Sequence, residues 1–323
     1  MNSLVSVVIA TYNSSQFLTE TLDSVSKQTW NNIELIITDD ASSDNTTEVY
    51  NKWIINNGKR FIYSEIITAQ KNTGVSANVN RGLHASKGEW IVLLAGDDTL
   101  KAKCIEDNML FINTHPEVKV LFSRIDVYRD TFDPVNHIKT IPDDPFNVDS
   151  IMAPGRSADS QYKMLLISDR ITFTPSVYFH RETLLSVGGF DERFKLLEDY
   201  PIWLKLTKKG IRLNFMDKVT VNYRQHSKAI NNTGISYLVN PNYFKHQEFR
   251  KIYTYPFLPI DIRLNQYFTW YTSQVFRCKW LNKNRKINSF LHSMLTLYIN
   301  PFKYYIFLKK KINKSLTDNE FYT

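Results

Sequence analysis

Three segments of this chain share one scheme: an apolar run that ends abruptly in polar or acidic residues and leads into a helix-like stretch. The first is LVSVVIA at residues 4–10, followed by Thr11, Tyr12 and Asn13 and then FLTETLDSVSKQ. The second is NIELIITDD, ending in Asp39 and Asp40, with Ser43 or Asp44 placed to cap a helix through Val49 to Ile55. The third is EWIVLLAGDD, ending in Asp97 and Asp98. Between the last two lie a further strand, about FIYSEII, and QKNTGVSANVNRGLHASKG, a helix whose start is marked by Gly74. Near-continuous apolar strands alternating with helices need cover on both faces, which predicts an α/β fold with a parallel sheet. Ligands of such sheets bind beyond the C-terminal strand ends. The three polar clusters are therefore expected to meet in one site.

Further along, a helix is expected near Cys104 to Thr114, and VKVLFSRIDVY reads as a strand. Residues 129–160 are Pro/Asp-rich and read as an irregular loop or lid. ITFTPSVYFHRETLLSVGGFDERFKLLEDYPIWLKLTKKG reads as a strand, a short helix, a turn and a longer helix. From about Tyr243 the pattern turns helical and basic, with aromatic and aliphatic side chains interleaved.

The formal charge of +8 is located, not general: residues 245–323 hold 14 Lys/Arg against 4 Asp/Glu, leaving 26 against 28 in residues 1–244. No nucleic-acid motif accompanies the basic tail, so nucleic acid is not among the expected partners. The N-terminal stretch MNSLVSVVIATYN lacks a basic leader and a small-residue cleavage site, and reads as a strand from the start. Cys104 and Cys278 are the only cysteines, which leaves no disulfide framework and suits a reducing, cytoplasmic setting.

Asp97 and Asp98 pose the chemical question. A helix N-cap accounts for one of them. A divalent cation held by hard oxygens accounts for both, because it relieves their repulsion and bridges to phosphate. The absence of GxxxxGK and of GxGxxG after the first strand argues against a P-loop or dinucleotide fold. Glu198 and Asp199 precede an amphipathic helix; either they complement its N-terminal dipole, or Asp199 is a general base facing the same cleft. Arg224 and His226 alternate at a strand end, placed to reach one phosphate together or simply to lie on a surface strand.

SVVIATYN, ELIITDDASSDNT, QKNTGVSANVNRGLHASKGEWIVLLAGDD, GGFDERFKLLEDYPIWLKL and NYRQH, in that order over residues 4 to about 228, together resemble glycosyltransferase family 2. The resemblance implies a GT-A fold: a Rossmann-like, mostly parallel central sheet flanked by helices, here spanning residues 1–240. Residues 241–323 would follow as a C-terminal helical extension outside the resemblance. By position, Thr11, Tyr12 and Asn13 match the segment lining the nucleobase and ribose pocket. Asp39 matches the Asp that accepts a hydrogen bond from uracil. Asp98 matches the direct ligand of Mn²⁺ or Mg²⁺, with Asp97 nearer the ribose. Asp199 matches the base, with Glu198 beside it at the donor site. His226 and Arg224 match a segment that contacts the metal or the diphosphate. The chain departs from the family pattern where Ala95 and Gly96 replace the earliest acid of DxDD, and where Ala41 replaces the Gly of DDGS. It also lacks the usual Arg near Val79, which leaves Lys71 and Arg81 as cations for the nucleobase or phosphate.

The implied reaction is an inverting, metal-dependent transfer from a nucleotide-sugar, UDP favoured and dTDP open, to a hydroxyl of a glycan or polyprenyl-diphosphate-linked acceptor. The setting it suggests is bacterial capsule or O-antigen synthesis. The tail fits either a peripheral attachment to the inner face of the cell membrane or a helical subdomain packing its own aromatics. Two rivals stay open from sequence: a nucleotidyltransferase, whose Gly-rich basic loop is not found in ATYNSSQF, and a catalytically silent adaptor binding glycan or membrane.

Overall fold

The computed structural model describes residues 3–227, 237–239, 243–244, 246–313 and 321. They fall into two compact units, one drawn from residues 1–161 and 170–226 and the other from residues 162–169 and 227–323. The segment 162–169 belongs with a unit whose remaining residues lie more than fifty positions downstream, an association that local patterning does not reveal.

The first unit is built on one sheet. Its strands are β1 (Val5–Thr11), β2 (Ile33–Asp39), β3 (Tyr63–Thr68), β4 (Trp90–Ala95), β5 (Thr99–Leu100), β6 (Val120–Arg129), β7 (His137–Ile141), β8 (Tyr178–His180) and β9 (Leu213–Gln225). They lie in the order β3-β2-β1-β4-β8-β6-β9-β5, with β7 paired to β6. The β3-β2-β1-β4 half is wholly parallel. β8 is antiparallel to both β4 and β6, so β6 and its parallel neighbour β9 run in the same direction as β4. The C-terminal ends of β1, β2, β4, β6 and β9 thus share one edge. The register makes this exact at three strands, with Thr11 opposite Asp39 and Ala10 opposite Ala95.

β1 and β2 are apolar almost throughout because they are covered on both faces. The exception is Glu34 in the middle of β2, which is buried. It is satisfied locally: Oε1 accepts from the N–H of Lys87 at 2.5 Å, the N–H of Gly88 at 2.9 Å and the Ser6 hydroxyl. Those bonds pin the turn between α3 (Val75–Ala85) and β4. α3 itself sits unusually close to the sheet, since a Cβ on Gly82 would lie 2.2 Å from Val8 Cγ1. On the other half of the sheet, α7 (Asp199–Lys208) inserts Trp203, which is fully buried. Its ring stacks on Phe179 at 5.7 Å and meets Phe122 edge-on at 5.0 Å. This aromatic anchor fixes the helix whose first residue is Asp199.

The remaining helices of this unit are α1 (Leu18–Ser26), α2 (Thr46–Asn57), α4 (Cys104–Thr114), the first part of α5 (Ala158–Ile167) and α6 (Arg181–Ser186). Two expectations need correction. The stretch 129–160 is not wholly irregular: β7 folds back on β6 as an antiparallel partner, with Ile125 opposite Ile141. The strand expected across ITFTPSVYFH is confined to Tyr178–His180, because Pro175 cannot donate to a ladder and sits in a single 3₁₀ turn.

In the second unit, α8 (Gln247–Tyr253), α9 (Ile260–Ser273), α10 (Lys286–Ser293) and α11 (Pro301–Ile312) are joined by short turns. Asn300 caps α11: Oδ1 accepts from the N–H of Phe302 and Lys303, while Nδ2 donates to Asn265 Oδ1 of α9 at 2.7 Å. Lys309 reaches Asp261 at 2.6 Å, and Phe302 meets Phe268. These contacts dock the inner face of α11 on α9. Among the described residues, no helix is long and apolar enough to cross a membrane.

Candidate active site

The acidic turn after β4 is built by close approach. A Cβ on Gly96 would lie 2.9 Å from both Thr11 Oγ1 and Ser14 Oγ, so only glycine lets this turn press against the end of β1. Beneath the turn lies Arg224, 2% exposed. Its backbone N–H donates to Asp98 Oδ1 at 2.8 Å and its Nε donates to the Asp97 carbonyl at 2.8 Å. The rest of the guanidinium donates to Glu20 and to the carbonyl of Asp130. It is clamped between the rings of Phe17 and Phe132, at 4.5 and 3.9 Å from their centroids.

His226 leaves β9 beside it and places Nε2 2.9 Å from Asp97 Oδ2, with its ring against Phe17. Arg224 and His226 thus diverge. The sequence left open a shared phosphate or a surface strand, and the resemblance implied the diphosphate or the metal; here the arginine lies below the acidic turn as its support and the histidine stands at Asp97.

Burial pushes the Asp98 carboxyl well above the ordinary carboxylate range, and the neighbouring charge of Asp97 adds to this. Its one opposing hydrogen bond among the described residues comes from the Arg224 N–H. The same two charges, after burial itself, push the Tyr223 hydroxyl up to about 12. A buried carboxylate with one opposing hydrogen bond, beside a second, partly exposed carboxylate, suits a cation. No group of three or more His, Cys, Asp or Glu among the described residues is placed to hold a metal alone. The donor set therefore fits a divalent ion that completes its coordination with ligand oxygens, such as a diphosphate. The buried Thr11 hydroxyl beside Gly96 has no partner among the described residues.

At the end of β2 the two acids divide their work. Asp39 is fully buried: Oδ1 accepts from the Ser42 N–H at 3.0 Å and hydroxyl at 2.6 Å, and Oδ2 from Tyr50 at 3.3 Å. Asp40 accepts from the N–H and hydroxyl of Thr73, from the Gly74 N–H at 2.7 Å, and from Arg81 at 2.7 Å. Burial works against its charge, but these donors outweigh it and hold the carboxyl below its ordinary value. Arg81 is further tied to Thr73 Oγ1 and Asn78 Oδ1, so it braces the loop before α3. Lys71, on that loop, is exposed. Tyr12 is exposed, and Asn13 takes a left-handed conformation with Oδ1 accepting the Ser43 N–H at 2.8 Å.

Glu198 and Asp199 are brought in by the loop from Gly189 to Leu197. That loop is stitched to α3: the Val75 N–H donates to the Lys195 carbonyl, and Ser76 Oγ to that of Phe194. Asn80 exchanges two 2.9 Å bonds with the Phe190 backbone. Gly74 is required here, since its φ is +96° and a Cβ would lie 2.6 Å from Lys195 Cβ. Both acids are half-buried. Burial, then the charge of Asp199, pushes Glu198 up to about 7. Burial also raises Asp199, although the Tyr200 N–H at 2.7 Å and the Thr174 hydroxyl at 3.2 Å pull it back. A raised carboxylate held by two donors is suited to receiving a proton.

The edge therefore gathers Thr11–Asn13, Asp39, Asp40, Asp97, Asp98 and His226 at strand ends, with Asp199 carried by a loop bonded to the same α3. Sequence reasoning missed Asn78, whose Nδ2 donates to the carbonyls of both Thr11 and Thr38 and so ties β1 to β2. It also missed Asn80, Thr174, Glu20 and the Asp40 network. The spacing of Asn78 and Asn80 in ANVNRG carried part of that signal, because two buried amides on one helix need specific partners.

A parallel half-sheet with acids at its carboxyl edge is the ligand-binding arrangement of an open α/β protein. Residues 6–175 match the family model described as glycosyl transferase family 2, more than half of the chain, and the chain belongs to that family. It is 32% identical over 106 residues to the glycosyltransferase GlyG of Streptococcus pneumoniae, a match covering 33% of this chain and 34% of that protein. It is 23% identical over 222 residues to an uncharacterized glycosyltransferase of Methanocaldococcus jannaschii, covering 68% of this chain and 70% of the relative. Among solved structures it is similar to Staphylococcus aureus TarS 1–349 in complex with UDP-GlcNAc, with a TM-score of 0.59 and 18% identity over 90% of this chain and 78% of that one. It is also similar to the mannosyltransferase PcManGT of Pyrobaculum calidifontis in complex with GDP-Man and Mn²⁺, with a TM-score of 0.52 and 18% identity over 97% and 76% of the two chains. At such identities the solved structures speak for the fold, a GT-A-type α/β sheet.

Proposed function

We propose that the chain transfers a sugar from a nucleoside-diphosphate donor to a hydroxyl of a glycan or polyprenyl-diphosphate-linked acceptor, with inversion at the anomeric carbon. The observation that carries this reading is the gathering of Asp97, Asp98 and His226 on the same sheet edge as Asp39 and Asp40. The nucleoside lies against Thr11, Tyr12 and Asn13, with Asp39 at its base. Asp39 recognises uracil by giving up the Ser42 hydroxyl as partner, since its oxygens are already engaged in the β2–α2 turn. UDP is the favoured donor nucleotide, in keeping with the UDP-GlcNAc complex of TarS, and dTDP presents the same base edge.

Asp98, with Asp97 and His226 at its side, would hold Mn²⁺ or Mg²⁺, which would supply positive charge for the leaving diphosphate. Lys71 is the exposed cation near the phosphates, whereas Arg81 and Arg224 act by bracing. Asp199 accepts the proton of the acceptor hydroxyl as that oxygen bonds to the anomeric carbon. The C–O bond to the diphosphate breaks on the opposite side and the nucleoside diphosphate departs. Glu198, raised to about 7, lines the donor sugar and carries less than a full charge beside the base at neutral pH. Capsule or O-antigen assembly is the setting that suits such an enzyme.

Calorimetric titration of UDP, dTDP and GDP, each with and without Mn²⁺, tests this with wild type and Asp98→Asn. Metal-dependent binding of one nucleotide, lost in the variant, is expected. Absence of binding by any nucleotide overturns the reading. Asp199→Asn is expected to lower turnover by about 10²–10⁴-fold with donor binding nearly intact, and undiminished turnover removes Asp199 as the base.

A further inference from the structure

α11 is apolar on two sides. Its inner face, with Phe302, docks on α9. On its outer side Tyr304, Tyr305, Phe307, Leu308 and Ile312 are each more than half exposed. At 100° per residue these five fall on one arc of about 160° that excludes Phe302. α10 and the turn after it add Ile287, Phe290 and Tyr298, also more than half exposed. The two rows meet where the Tyr304 hydroxyl donates to the Tyr298 carbonyl at 2.8 Å.

The charge around this face has one sign. Residues 262–317 contain no Asp or Glu and 11 Lys/Arg. Lys309 turns inward to Asp261, whereas Lys303 and Lys310 border the apolar arc on one side, Lys311 rises within it, and Arg285 and Lys286 stand at the start of α10. None of these five forms an ion pair among the described residues.

We infer that the outer face of α10 and α11 lies in the interface of an anionic lipid bilayer. α11 has 12 residues, about 18 Å at 1.5 Å each, against a hydrocarbon core of about 30 Å, so it lies in the plane and does not span. Its aromatic and aliphatic residues enter the headgroup–acyl boundary while the bordering lysines meet lipid phosphates. A protein partner of the same shape would place acids opposite the lysines and cover the aromatics; a lipid surface needs no such fit, which suits a patch of long, separately exposed side chains. The inference does not depend on the transferase reading.

The test is co-sedimentation of the full-length protein with vesicles of phosphatidylcholine alone or mixed with phosphatidylglycerol, at low and raised salt. Binding to the mixed vesicles only, weakened by salt, is expected. Lys310→Gln with Lys311→Gln should weaken it about 5-fold per lysine, and Phe307→Gln with Leu308→Gln should abolish it. Phe307, Leu308 and Lys311 are exposed and Lys310 is half-buried with no acid beside it among the described residues, so circular dichroism and the urea unfolding midpoint should match wild type. Failure to sediment with mixed vesicles, or equal binding to neutral ones, overturns the inference. So does a dimer, seen by light scattering, that Phe307→Gln with Leu308→Gln dissolves while vesicle binding is unchanged; that result assigns the face to a second copy.

Discussion

Replacing Glu198 by Gln isolates the energetic cost of the acidic pair before α7. Glu198 titrates near 4.5 in an unfolded chain and is pushed up to about 7 here by burial and then by Asp199. A carboxyl whose pKa is raised on folding contributes stability that is fully present below about 4.5, and that contribution is lost as pH rises through about 7. At 1.36 kcal/mol per tenfold, the whole interval is worth about 3 kcal/mol, and sharing the effect with Asp199 brings this to about 1–3 kcal/mol. Gln keeps the shape and cannot ionise. Glu198→Gln should therefore match wild type near pH 4.5 and exceed it by that amount at pH 8, or by several degrees in Tm for a protein of this size. Urea unfolding across pH 4.5 to 8 provides the measurement, with most of the divergence between pH 5 and 7. A variant equally stabilised at both ends, or destabilised at pH 8, would refute the reasoning, because it would mean that the carboxylate is held ionised by a cation.

Asp40→Ala should cost about 3 kcal/mol, since it strands Arg81 and the N–H groups of Thr73 and Gly74, and denaturant titration reads this directly. Gly82→Ala should destabilise by about 2 kcal/mol through overlap with Val8 Cγ1. Combining it with Val8→Ala should recover about 1 kcal/mol relative to the sum of the two changes, measurable as a double-mutant coupling. Arg224→Lys should lower stability by about 2 kcal/mol, because the ammonium cannot serve Asp97, Asp130 and Glu20 together or stack between Phe17 and Phe132; nucleotide titration should show weaker donor binding in the same variant.

Much of the sheet was legible because covered parallel strands must be apolar and must end where the chain turns polar. VSVVIAT, IELIITD and WIVLLA could hardly be anything else, and the acids beyond them belong to one edge on the strand pattern alone. Roles were harder. Asp39 and Asp40 are adjacent and alike in sequence, yet one anchors its own turn while the other binds a loop more than thirty residues away. Arg224 and His226 look like a pair, but the arginine is spent on Glu20 and on the carbonyls of Asp97 and Asp130, whereas the histidine lies just beyond the end of β9 with Nε2 on the Asp97 carboxylate.

The sequence by itself determined the parallel half-sheet, the acidic carboxyl edge and the family, since each rests on local periodicity or on ordered motifs. Only the tertiary structure decided which charges are spent internally. That depends on burial and on donors remote in the chain: Arg81 on Asp40, Arg224 beneath Asp97 and Asp98, and the loop at Lys195 that brings Glu198 and Asp199 to α3. The outer face of α11 was settled in the same way, because a helix with apolar residues on two sides shows which is covered only when its neighbour, α9, is in place.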